Sequence, residues 1–90
     1  MREPTLKELR IFTAVADSLS FRAAARRLDM APSSLSHAIT GLESLLSFRL
    51  FHRTTRSIAL TDEGAQFLAS LRPILEDLDI ASRRELTLVL

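Results

Sequence analysis

Ninety residues, 47% of them hydrophobic and 26% charged, suffice for one small domain folded around a core and argue against a disordered chain. Cysteine is absent, which excludes disulfides and thiolate metal sites. No apolar run is long enough to cross a bilayer, and Met1-Arg2-Glu3-Pro4 lacks the apolar stretch of a secretory signal, so a cytoplasmic protein is expected. The net charge of +1 is uninformative, but its distribution is not. Between Ser20 and Ser57 six arginines face two acids, whereas from Ile58 onward three arginines face six acids. Basic character is therefore concentrated in the middle of the chain, and arginine supplies eleven of the twelve basic residues.

Thr5-Leu6-Lys7-Glu8 fits a capping box that opens a first helix. Leu6, Leu9, Phe12, Ala16 and Leu19 recur along it at helical spacing, with Val15 widening the inward stripe. Ser20 can cap a second helix whose inner face is Phe21, Ala24, Ala25 and Leu28, the alanines being small enough for another helix to cross closely. After Asp29-Met30-Ala31, Pro32 suits the first turn of a third helix, where its missing amide hydrogen leaves nothing unpaired. Leu35, Ile39, Leu42 and Leu46 point inward from that helix, which should stop near Ser47-Phe48. Two short helices joined by a tight turn, over residues 21–40, form a helix-turn-helix, and a serine- and histidine-rich outer face suits its second helix to the major groove of DNA.

Leu50-Phe51-His52-Arg53 and Ser57-Ile58-Ala59-Leu60 then read as short strands of a hairpin around Thr54-Thr55-Arg56, although its turn lacks glycine. Thr61 can cap a fourth helix, with Asp62 and Glu63 at its positive end. That helix is expected to reach about Arg84, with a kink or weak point at Pro73. Leu68, Leu71, Leu75 and Leu78 alternate steps of three and four along it, the seam of a coiled coil and a longer one than a small core needs, so it is read as a dimerisation helix. The fold class is accordingly mainly α: a winged helix-turn-helix over residues 1–61, with its wing at 50–60, followed by a linker and dimerisation helix. Residues 62–90 end on apolar Leu86-Thr87-Leu88-Val89-Leu90, which reads as the start of a further domain cut away.

Ser33, Ser34, Ser36 and His37 occupy the first turns of the third helix, the part that meets base edges when such a helix docks. Arg53 and Arg56 flank the wing tip and suit phosphate or minor-groove contact, with Thr54 and Thr55 hydrogen-bonding to the DNA backbone. Ser20 and Arg22 open the helix that crosses the backbone. The bland alternatives are solvated helix-start serines, cap bonds and an exposed hairpin. Enzymatic readings have no support: Ser36 and His37 are neighbours that cannot face each other on a helix, and two histidines without cysteine give no metal-ligand spacing. No cofactor or metal is expected.

Taken together, Ser20-Phe21, Ala24-Ala25, Leu28, Leu35-Ser36, Ile39, Leu42-Glu43, Leu50-Phe51, Arg53, Arg56, Leu60-Thr61 and Gly64 resemble the N-terminal DNA-binding region of LysR-type transcriptional regulators over nearly the whole chain. The resemblance implies a bacterial regulator that binds partly palindromic double-stranded promoter DNA. It also implies a homodimer through the linker helix, often a tetramer in the full-length protein, and a small-molecule effector bound only by a C-terminal domain that this chain lacks. Three positions depart from the family pattern. Ala31 and Pro32 stand where serine and glutamine are common, although Pro32 remains in the expected DNA-contacting set, and Ser47 stands where glycine is preferred. The competing reading is a winged-helix interaction module that pairs through its fourth helix without binding DNA.

Overall fold

The computed structural model describes residues 2–54 and 57–89, with residues 84–89 described by backbone alone. The first helix, α1, spans Leu6–Ser18 and begins with the expected capping box. The Thr5 hydroxyl accepts the Glu8 amide at 3.1 Å, and the Glu8 carboxylate accepts the Thr5 amide at 2.9 Å. Arg2 closes over the same carboxylate at 2.7 Å. These contacts hold the Glu8 carboxyl at about 2, well below its ordinary 4.5, chiefly through the bond from Arg2 and then the Thr5 amide.

The buried face of α1 is wider than the simple stripe predicts. Ile11, Phe12, Ala14, Val15 and Ala16 are buried, Leu9 is only partly so, and Leu6 and Leu19 lie 44% and 48% exposed. The reason is that α1 is the central element, covered by α2, α3 and α4 from three directions. Leu19 ends it in the left-handed conformation, and its amide bonds back to the Val15 carbonyl.

The second helix, α2, spans Phe21–Arg27 and is capped by the Ser20 hydroxyl, which accepts the Ala23 amide at 3.1 Å. Ala24 and Ala25 are buried, so α1 and α3 approach closely. Asp29 takes a positive φ and the Met30 amide returns to the Ala25 carbonyl, a tight helix ending that turns the chain into α3, Pro32–Leu46. Pro32 starts that helix, and Ala31 gives it no side-chain cap. Leu35, Ile39 and Leu42 are fully buried beneath it. Ser47 ends α3 at a φ of 67°, the left-handed conformation that its position demands.

The wing consists of antiparallel strands β1, Phe51–Arg53, and β2, Ile58–Leu60, each one residue shorter than the pattern suggested. Phe51 pairs with Leu60, His52 with Ala59 and Arg53 with Ile58. Fully buried Phe12 gathers the core, its ring 5.6 Å from that of Phe51 and 5.5 Å from that of Phe67.

Thr61 ties the wing to the last helix, α4, Asp62–Val89. Its hydroxyl accepts the Gly64 amide at 2.9 Å and donates to the Arg49 carbonyl. Gly64 is needed there because a Cβ would press on the Leu50 carbonyl oxygen. The backbone of α4 extends five residues beyond the expected end at Arg84 and is unbroken at Pro73. Ion pairs at 2.8 Å (Arg10 to Asp79) and 2.7 Å (Arg72 to Asp17) fasten it to α1.

The chain's own core uses most of the presumed coiled-coil seam. Leu68, Leu71 and Leu75 are only 8%, 5% and 7% exposed, whereas Leu78 is 38% exposed. A three-four repeat specifies an apolar stripe without saying what covers it, and here the first three leucines are covered from within.

Candidate nucleic-acid interface

The inward commitment of Leu35, Ile39 and Leu42 leaves the opposite side of α3 uncovered by any other element among the described residues. Pro32, Ser33, Ser34, His37, Thr40 and Ser44 are exposed there, and Ser36 is half-buried. Ser33, Ser36, His37 and Thr40 line one shallow depression of about 300 Å³. Ser34 is exposed but does not line it. Thr40 also borders a second depression of about 440 Å³, bounded by Ser44, Phe48, Arg49 and Arg53. A polar path thus runs from the start of α3 to the base of the wing. Hydroxyl and imidazole groups on this path can donate to or accept from base edges.

The flanks carry the positive charge. Arg22, in the first turn of α2, is exposed and makes no ion pair among the described residues. The Ser20 hydroxyl already accepts the Ala23 amide as the α2 cap, which leaves its O–H to donate in any further contact. Arg53 is held more firmly: its guanidinium lies 4.5 Å from the centroid of the Phe21 ring and 3.9 Å from a Glu43 oxygen. The Thr54 hydroxyl turns into the hairpin, accepting the Ser57 amide at 3.0 Å across the turn. Thr55 and Arg56 lie outside the described residues.

Three contributors escape the sequence reading. Thr40 follows Ser33, Ser36 and His37 at helical spacing, so extending the count by one more turn finds it. Arg49 stands beside the path with a 66% exposed side chain, yet the sequence shows only a basic residue after a helix end. Glu43 is buried under the wing, and no local pattern announces a buried carboxylate.

A three-helix unit with an exposed polar third helix, an arginine-bearing wing and a long trailing helix is a winged helix-turn-helix, a DNA-binding architecture. The family described as "Bacterial regulatory helix-turn-helix protein, lysR family" matches residues 6–65. The chain belongs to that family, as its DNA-binding domain with linker helix, and such domains are regulatory rather than enzymatic.

Among curated relatives, a probable hydrogen peroxide-inducible genes activator of Mycobacterium xenopi is 48% identical over 77 residues, covering 86% of this chain and 41% of that protein. The regulator PgrR of Escherichia coli is 42% identical over 81 residues, covering 90% of this chain and 27% of that protein. The chain therefore spans well under half the length of these relatives. Among solved structures, the BenM DBD/benA site 1 DNA complex superposes with a TM-score of 0.87 at 32% identity, over 94% of this chain and 96% of that one. The CbnR DBD–DNA complex gives 0.84 at 31% identity, over 96% and 99%. Oxidised OxyR of Corynebacterium glutamicum gives 0.87 at 31% identity, over 93% of this chain and 27% of that one.

Proposed function

We propose that this chain is the operator-reading part of a bacterial transcriptional regulator that binds double-stranded promoter DNA as a homodimer. The observation that carries this reading is the continuous polar path along α3, which has no partner among the described residues and is bordered by Arg49 and Arg53. In this reading α3 enters the major groove. Ser33, Ser36, His37 and Thr40 meet base edges, and Pro32 and Ser34 lie at the groove rim. Ser20, Arg22, Arg53, Thr54, Thr55 and Arg56 follow the sugar-phosphate backbone.

Dimerisation is assigned to α4. With Leu68, Leu71 and Leu75 engaged internally, the self-association face moves to Leu78 and to Ile74 one turn before it, which is 62% exposed. Two copies so joined address half-sites separated by roughly 34 Å or a multiple of it. The relatives' greater length supports a further effector-binding domain and, with it, higher assembly such as a tetramer in the whole protein. No helix among the described residues is long and apolar enough to cross a membrane, which supports a cytoplasmic regulator.

Selection from a randomised duplex pool tests the reading. Enrichment of a sequence with two-fold symmetry is expected. Failure to enrich any sequence, from a protein shown to be dimeric, would replace it with the interaction-module alternative.

A further inference from the structure

Glu43 is the only buried charged side chain among the described residues, 7% exposed on the inner flank of α3. A carboxylate in such a place is strongly disfavoured unless it is paired. One of its oxygens, Oε2, accepts the Leu50 amide at 2.8 Å and the Phe51 amide at 3.4 Å, the two residues that open the wing. The carbonyl oxygen of a neutral glutamine could also accept those two amides, through weaker bonds, so they do not by themselves require a charge. The arginines do. The Arg49 Nε lies 3.4 Å from Oε2, and the Arg53 Nη2 lies 3.9 Å from Oε1.

We infer that Glu43 is a positioning residue for DNA binding, one that fixes Arg53 against the Phe21 ring so that its guanidinium is set in place before a phosphate arrives. The inference rests on the duplex-binding reading above and deepens it. Arg53 is gripped by three elements: the Phe21 ring from α2 at 4.5 Å, the Glu43 carboxylate from α3, and its own strand β1. Its side chain is still 28% exposed. A guanidinium has five N–H donors, so it can keep the carboxylate and still offer a fork to a phosphate oxygen. Preorganisation of this kind removes the loss of side-chain freedom on binding. Because Glu43 sits one turn after Thr40 on the same helix, it also fixes the wing's phosphate contact relative to the base-reading surface.

Simple electrostatics predicts the opposite sign. Removing a negative charge beside DNA-contacting arginines should tighten binding to a polyanion. Positioning predicts that it weakens. Glu43→Gln in the ninety-residue chain separates the two, since it keeps an acceptor for the wing amides and removes the charge. We expect duplex affinity to fall by about threefold to tenfold despite the extra net positive charge, with the slope of log affinity against log salt shallower by about one phosphate contact.

In an Arg53→Ala background Glu43→Gln is expected to cause no further loss. Phe21→Leu, which keeps apolar bulk but removes the ring, is expected to reproduce the shallower slope, and it carries the test if Glu43→Gln does not fold. Unchanged or tighter duplex binding by folded Glu43→Gln overturns the positioning role, as does an unchanged slope in Phe21→Leu. If Arg53→Ala itself leaves affinity and slope intact, the wing's phosphate contact fails and the inference falls with it. A loss with Arg53→Ala but not with Glu43→Gln overturns the positioning role alone.

Discussion

Position 64 has room for a hydrogen and nothing larger, because the Leu50 carbonyl oxygen occupies the space a Cβ would fill. The neighbouring atom belongs to backbone that also accepts the Thr61 amide, so it cannot move without opening the junction of wing and α4. Gly64→Ala is therefore expected to destabilise the domain by about 1–3 kcal/mol in urea unfolding. A change within a few tenths of a kcal/mol would show that the junction yields. His37 belongs to the opposite class of residue. It is exposed, it supports nothing in the core, and it borders the same depression as Ser33, Ser36 and Thr40. Its replacement by alanine should leave the unfolding curve unaltered while changing the ranking of duplexes in a selection. Equal losses on enriched and scrambled duplexes would remove it from base reading.

Among the elements, α1 shows how a cap becomes a pH response. The folded Glu8 carboxyl sits at about 2 against an ordinary 4.5. Its contribution to stability is present above the higher value and is lost as pH falls toward the lower one. Glu8→Gln should flatten that part of the acid-unfolding profile, and an unchanged profile would contradict the cap's role. The starts of α1 and α2 are legible because Thr5, Glu8 and Ser20 mark them by side-chain chemistry that acts locally. The start of α3 was legible for a different reason: Pro32 fits only a first turn.

What could not be read depended on distant elements. The burial of Ile11 and Ala14 follows from α1 lying at the centre of the fold, with α4 fastened across it by an ion pair, Arg72 to Asp17, that joins residues more than fifty positions apart. The site shows the same division. The exposed face of α3 follows from helical period, whereas the grip on Arg53 by Phe21 and Glu43 requires three elements to meet. Thr40 falls on the same helical period as Ser33, Ser36 and His37, and is legible by extending that period one turn.

For the whole molecule, the question is which leucines of α4 serve the fold and which serve a second copy. Sequence spacing treats Leu68, Leu71, Leu75 and Leu78 alike, but burial separates the first three from the last. Leu71→Ala is thus expected to lower stability by about 2–5 kcal/mol. Leu78→Glu should leave the fold intact and convert the dimer to monomer in analytical ultracentrifugation. A monomer that arises only when the domain unfolds would place the dimer contact elsewhere.

Whether the α3 face and the wing together hold duplex DNA is decided by fluorescence anisotropy of the ninety-residue chain. The titration would use duplex and single-stranded DNA from low to physiological salt. Duplex binding is expected, with a steep fall in affinity as salt rises, because arginine–phosphate contacts release counterions. Binding to the single strand is expected to be much weaker, since the chain has neither tryptophan nor tyrosine to form a stacking platform. A folded, dimeric protein that fails to bind duplex even at low salt would contradict the DNA-binding reading.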